Sequence, residues 1–172
     1  MRLFIAIQFN EKILDVIEGL QPDMKKCGLK GRYTKRENLH VTLAFIGEYG
    51  NPDKVLEAME ETDFEEFTIS FDGIGNFDDL YYAGISDSLY LEKLVKRLRK
   101  NLSQHNIPFD RKKFIPHITL VRQGEFIKAR AGLPDTIPDN SMNVGEIVLM
   151  KSERGKNGMI YTVLGEVSAD MD

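Results

Sequence analysis

The chain has one cysteine, Cys27, in 172 residues. A single thiol closes no intramolecular disulfide and cannot by itself supply a cysteine-based zinc site, so a buried, incidental thiol is expected. No apolar run approaches the roughly 18 residues of a membrane span, and the opening Leu3-Phe4-Ile5-Ala6-Ile7 is shorter than a signal-peptide core. A cytoplasmic protein without membrane partners is the expectation. Net charge is also small: 23 basic against 27 acidic residues leave −4, which argues against coating nucleic acid through bulk charge. Any nucleic-acid site must be local. What is present is ordinary globular material, 42% hydrophobic and 29% charged, which makes disorder, collagen and coiled coil poor readings. The length suits one domain, 1–172, built from two lobes at about 1–79 and 80–172 with strand exchange between them.

Periodicity gives a coarse element order. Arg2 to Phe9 is nearly continuously apolar, as in a strand covered on both faces, and Glu11 to Lys26 carries Ile13, Val16, Ile17 and Leu20 at helical spacing. Tyr33 fits a short strand, and Leu39 to Gly47 reads as a longer one, rich in β-branched and aromatic residues. Asn51-Pro52-Asp53 starts a helix that runs to about Thr62, followed by an alternating strand through Phe67, Ile69 and Phe71. The pattern then restarts with a strand at Leu80 to Ser86. Next comes a helix capped by Asp87 or Ser88, with a stripe at Leu91, Leu94, Leu98 and Leu102. After a basic loop, a strand is expected at His117 to Gln123. A Gly/Pro-containing segment leads to Asn140, and strands at Val144–Lys151 and Met159–Val167 are joined by the turn Gly155-Lys156-Asn157-Gly158.

The halves repeat each other. His40-Val41-Thr42-Leu43 matches His117-Ile118-Thr119-Leu120, and Ala6 precedes its histidine by the same 34 residues as Ala83 does. Alternation along a strand puts His40 with Thr42, and His117 with Thr119, on one face each, with apolar neighbours on the other. Two such pairs facing one cleft suit phosphoryl transfer. An imidazole takes a proton from the nucleophile, another protonates the leaving oxygen, and the hydroxyls donate to phosphate oxygens. A histidine pKa near ~6.5 permits one neutral and one protonated ring at neutral pH. A metal site competes poorly, because neither tetrapeptide carries a carboxylate and no H-E-x-x-H motif is present. His105, outside the repeat, is expected at the surface or as a helix C-terminal charge partner. Basic residues cluster before each motif, at Lys25, Lys26, Lys30, Arg32, Lys35, Arg36 and at Arg111, Lys112, Lys113, while acids concentrate from Glu57 to Glu66. Strict alternation turns Arg122 away from Thr119 unless a bulge or strand end intervenes. Phe9, Phe45, Tyr81, Tyr82 and Phe114 are candidates to stack a base, with core packing the favoured role.

At these residues the sequence resembles the 2H phosphoesterase superfamily and, within it, the RNA 2′,3′-cyclic phosphodiesterases, also called 2′-5′ RNA ligases. The resemblance rests on Arg2 to Ile7, Glu37 to Gly47, Pro116 to Arg122, and Ser152, Gly158 and Tyr161. It implies an α+β, bilobal duplicated fold with two antiparallel sheets flanking a central cleft and helices outside. The implied activity is metal-independent, cofactor-free opening of an RNA terminal 2′,3′-cyclic phosphate to a 2′-phosphate, with 2′-5′ ligation as the reverse reaction. His40 is then the proton donor, His117 the proton acceptor, and Thr42, Thr119 and Arg122 bind phosphate. The implied partner is an RNA end or oligonucleotide bearing the cyclic phosphate, and the protein is expected to be a monomer. The sequence leaves open which histidine is acid and which is base. Other readings are a phosphodiesterase for 2′-5′ oligonucleotides or small cyclic nucleotides, and a nucleotide-binding module without turnover. Arg36 stands where the family often has proline, and Tyr33 where tryptophan is common; both are expected to affect the cleft rim.

Overall fold

The computed structural model describes residues 1–127, 132–134, 137 and 140–171. Most of the Gly/Pro-containing connection before Asn140 lies outside them. The first half runs β1 (Arg2–Ile7), α1 (Glu11–Glu18), α2 (Leu20–Lys26), β2 (Leu29–Tyr33), a 3₁₀ turn (Arg36–Asn38), β3 (Val41–Glu48), α3 (Pro52–Glu60) and β4 (Phe67–Phe77). The second half runs β5 (Leu80–Ile85), α4 (Leu89–Gln104), β6 (His117–Phe126), β7 (Ser141–Val144), β8 (Glu146–Gly155) and β9 (Gly158–Ser168). Among the described residues no helix is long and apolar enough to cross a membrane.

The element boundaries follow local chemistry. Asn10, Asn51 and Ser88 each accept a backbone N–H through the side chain and so start α1, α3 and α4. The helix expected over 11–26 is instead two helices meeting at Gly19. Pro22 has no N–H to give the Glu18 carbonyl, so it is tolerated only in the first turn of a new helix. The strand expected at Val144 is likewise two. The chain changes partner at Gly145, with β7 pairing to β4 and β8 to β1. The β8–β9 hairpin closes where expected, with Gly155 opposite Gly158, whose φ of +115° only glycine adopts readily.

All the strand pairings are antiparallel, in the order β7-β4-β5-β6-β3-β1-β8-β9, with β2 on the other edge of β6. One group is centred on β1, between β3 and β8; the other on β6, between β5 and β2. They meet at one pairing, Val41 with Ile118. Strands cross between the halves of the chain, since β8 and β9 extend the β1 group and β2 and β4 extend the β6 group. That single seam sets the two repeated motifs beside each other.

Strand β1 is buried on both faces, each against a different cluster. Leu3, Ile5 and Ile7 join Ile13, Ile17 and Met24 in the main core under the helices. Phe4 and Ala6 pack with Val148 and Met150, bordered by Phe45 and Tyr161, and floor the opposite side. Burying each such aliphatic chain stabilises the fold by about 1.5–3 kcal/mol. The sheet therefore presents a firm platform to the cleft.

Candidate active site

His40 lies between the 3₁₀ turn and β3, just ahead of the strand expected to contain it, and His117 is the first residue of β6. Their surroundings repeat. His40 Nδ1 is 2.7 Å from the Asn38 carbonyl oxygen, and His117 Nδ1 is 2.7 Å from that of Ile115. A carbonyl only accepts, so each Nδ1 carries a hydrogen, and in the neutral ring Nε2 carries the lone pair. Each ring is also held by two aromatics. Phe4 and Tyr161 lie 4.9 and 5.3 Å from His40, while Phe77 and Tyr82 lie 5.3 and 5.5 Å from His117.

The repeats then diverge. His40 Nε2 is 3.0 Å from Thr42 Oγ1, and its ring is driven below the usual histidine pKa. Burial is the main cause, the Asn38 carbonyl opposes it, and the positive charge of Arg122 and of protonated His117 adds to the lowering. His117 stands beside Ile115, 47% exposed, and Phe77, 38% exposed, at a more open position.

Arg122 reaches the cleft through a β-bulge. Tyr82 pairs with Thr119, but Tyr81 pairs with Val121, so Leu120 is the extra residue. Leu120 and Val121 both point into the core at 0% exposure, and parity is reversed beyond them. Arg122 thus lies on the face of Thr119. The first motif carries the same device: Ala6 pairs with Thr42, Ile5 with Ala44, and Leu43 is skipped. There the parity change brings Phe45 to the cleft. The fourth residue of each H-x-T-L is therefore the bulged one.

A cavity of about 440 Å³ runs along His40 and Thr42, lined also by Arg122, Arg2, Arg154 and Ser152. Arg2 and Arg154 are cleft cations that sequence reasoning missed. The available signal was parity, since Arg2 shares a face of β1 with Phe4, and Arg154 a face of β8 with Ser152. Glu48 also lines the cavity and pairs with the N-terminal amine at 3.2 Å. Several basic residues singled out before the motifs are engaged elsewhere. Lys25 lies over the Tyr33 ring, Arg111 over Phe109, and Lys35 donates to the Asn157 carbonyl.

Arg36 donates to Asp15 at 2.7 Å and Glu11 at 2.6 Å, contacts that raise its already high pKa. It ties the 3₁₀ turn to α1 rather than edging the cleft. Tyr33 donates its hydroxyl to the Leu29 carbonyl and packs on the core. His105 caps α4 with Nε2 2.8 Å from Glu61, away from both motifs. Of the candidate stacking aromatics, Phe9 is core, Phe114 packs against it, Tyr81 meets Phe126 and Phe45 lies under Arg2. Tyr82 flanks His117, and Phe77, which the sequence reading passed over, stacks on Tyr82 at 4.5 Å. Among the described residues no group of three or more His, Cys, Asp or Glu side chains converges as a metal site. Imidazoles, hydroxyls and guanidinium groups instead suit an oxyanion that gains charge or exchanges protons.

Comparison with known proteins gives a consistent picture. The family model described as the 2′-5′ RNA ligase superfamily matches residues 11–156. A Thermotoga maritima protein named RNA 2′,3′-cyclic phosphodiesterase is 30% identical, over 96% of this chain and 94% of its own. One of the same name from Methanocaldococcus jannaschii is 31% identical, over 96% and 99%. Among solved structures, E. coli LigT in its apo form superposes with a TM-score of 0.84 at 25% identity, covering 99% of this chain and 98% of that one.

Proposed function

Since the chain belongs to the 2′-5′ RNA ligase superfamily, we propose that its cleft hydrolyses the 2′,3′-cyclic phosphate at an RNA end to a 2′-phosphate, by two-histidine acid–base catalysis without a metal. The observation that carries this reading is the matched pair of Nδ1–carbonyl hydrogen bonds, which leaves Nε2 as the proton-exchanging nitrogen of each ring, with that of His40 beside the Thr42 hydroxyl.

Water attacks phosphorus in line with the 3′ oxygen. His117 Nε2 takes the water proton as the new P–O bond forms, and the P–O3′ bond breaks. His40 Nε2–H protonates the departing O3′, leaving a 3′-hydroxyl and a 2′-phosphate. The openness around His117 supports its assignment to the water side, and the enclosure of His40 suits a leaving oxygen. Burial is the main cause of the lowered His40 pKa, and anionic substrate beside Arg122 offsets the smaller contribution of that cation, so binding favours the proton the acid needs. Thr42, Thr119 and Arg122 donate to the non-bridging oxygens. Ligation is the reverse reaction, with a 5′-hydroxyl in place of water. Both motifs come from one chain, so a monomer acting on RNA ends in the cytoplasm is sufficient.

The test is incubation in excess EDTA with a short RNA ending in a 2′,3′-cyclic phosphate, comparing the product with 2′- and 3′-phosphate standards. A 2′-phosphate that is lost in His117→Ala and kept in His105→Ala is expected. A 3′-phosphate would exchange the leaving group, activity abolished by EDTA would overturn the metal-free chemistry, and binding without product would favour a nucleotide-binding module.

A further inference from the structure

The cleft does not end at His40. Past Met159 and Tyr161, which line both spaces, a second cavity of about 350 Å³ opens between the 3₁₀ turn and the tip of the β8–β9 hairpin. Lys35, Lys156, Asn38 and Asn157 line it, opposed by one carboxylate, Glu37. Ile160, 54% exposed, supplies an apolar surface at the same place.

Hydrogen bonds make this cavity and the catalytic ring one unit. Lys35 Nζ donates to the Asn157 carbonyl at 2.6 Å, and Asn38 Nδ2 donates to the Met159 carbonyl at 3.0 Å. The Asn38 carbonyl in turn accepts from His40 Nδ1. Gly158, with φ +115°, sets the hairpin tip that Lys35 holds. One of the three ammonium hydrogens of Lys35 is used in this strap, and Lys156 sits exposed at the turn.

A cyclic phosphate occupies the 2′ and 3′ oxygens of its ribose, so an RNA chain can leave the reacting nucleotide only through the 5′ oxygen. Resting on the function proposed above, we propose that the second cavity holds the nucleotide on the 5′ side of the reacting end. Lys35 and Lys156 meet the linking phosphate, and the base lies against Ile160 and Met159. Backbone charge and an apolar surface bind single strands with little sequence preference. The protein is thereby tuned to oligonucleotides over mononucleotides.

The test compares a nucleoside 2′,3′-cyclic phosphate with a tetranucleotide ending in the same nucleotide. The wild-type protein is expected to show at least about tenfold higher kcat/KM on the tetranucleotide at low salt. Lys156→Glu removes that advantage and leaves the mononucleotide rate unchanged. Glu37→Gln enlarges it. For Lys156→Ala the log–log salt dependence on the tetranucleotide becomes shallower by about 0.7, the single-strand value for one phosphate contact. Lys35 is left intact because it straps the hairpin beside His40. Equal wild-type kcat/KM on the two substrates, or an equal loss on both in Lys156→Glu, overturns the subsite. Inactivity on both substrates refutes the underlying function, and the subsite with it.

Discussion

Arg122 reaches the cleft only because Leu120 is bulged, so replacing it tests the strand geometry and the chemistry together. Arg122→Met keeps most of the aliphatic stem and removes the guanidinium. A hydrogen bond to a charged partner is worth about 1.5–3 kcal/mol, which corresponds to roughly 10- to 150-fold in kcat/KM. The Arg122 side chain is exposed before substrate arrives, so solvent screening places the expected loss at the low end, about tenfold. Arg122→Lys keeps the charge without the planar fork and should fall between. The same substitution has a second consequence, because Arg122 is one of the charges that lower the His40 pKa. Its removal must raise the midpoint of His40, read by NMR titration of the imidazole nitrogens. Steady-state hydrolysis of a cyclic-phosphate RNA gives the first quantity and the titration the second. A kcat/KM within about threefold of wild type, together with an unmoved His40 midpoint, would refute the placement of Arg122 on the Thr119 face.

Thr42→Val and Thr119→Val keep side-chain volume and delete a hydroxyl, and each should lower kcat/KM by about tenfold or more with little loss of stability; Thr42→Val also frees His40 Nε2 and should shift its titration, which Thr119→Val does much less. Stability should depend on pH through His40. Above its ordinary pKa of 6.5 the ring is neutral folded and unfolded; below it the unfolded chain binds more protons, so stability declines as pH falls toward the lowered folded value. Denaturant melts from pH 7 to 5 should therefore be flatter in His40→Gln than in wild type. Arg36→Ala should lower Tm while leaving kcat/KM within about twofold, because its partners belong to α1 and exposed ion pairs contribute modestly.

What could be read from the sequence depended on whether one strand's own periodicity carried the signal. The paired faces of His40–Thr42 and His117–Thr119, the caps at Asn51 and Ser88, and the Gly155–Gly158 turn are local features, and the structure places them as expected. The bulges at Leu43 and Leu120 were invisible because each is followed by another small or apolar residue. A run such as Leu120-Val121 has no polar marker to show that alternation has slipped. Arg2 and Arg154 were missed for a different reason. Parity tells which residues share their face, but not that the face is the cleft, since β1 pairs with β8 from the far end of the chain. Pro22 was readable, and its missing N–H was enough to split the helix.

The duplication explains why the site has two histidines, and the departures from symmetry explain how they could differ. The carbonyl bond at Nδ1, the two flanking rings and the bulged leucine recur in both motifs, so the backbone aims both imidazoles alike. A symmetric pair would have no preference for which ring held the proton. Here the bulge delivers Arg122 after one motif and Phe45 after the other, two residues related by the same 77-residue offset as the histidines. Burial and the cation both act on His40 and lower its pKa. Replacing the cation by the residue at the matching position of the other motif, Arg122→Phe, should raise the His40 midpoint part of the way to its ordinary value. His40 would remain partly lowered, because burial, its largest cause, stays in place. NMR titration of the His40 ring would show that partial rise, and an unchanged His40 midpoint would mean that Arg122 has no part in the asymmetry.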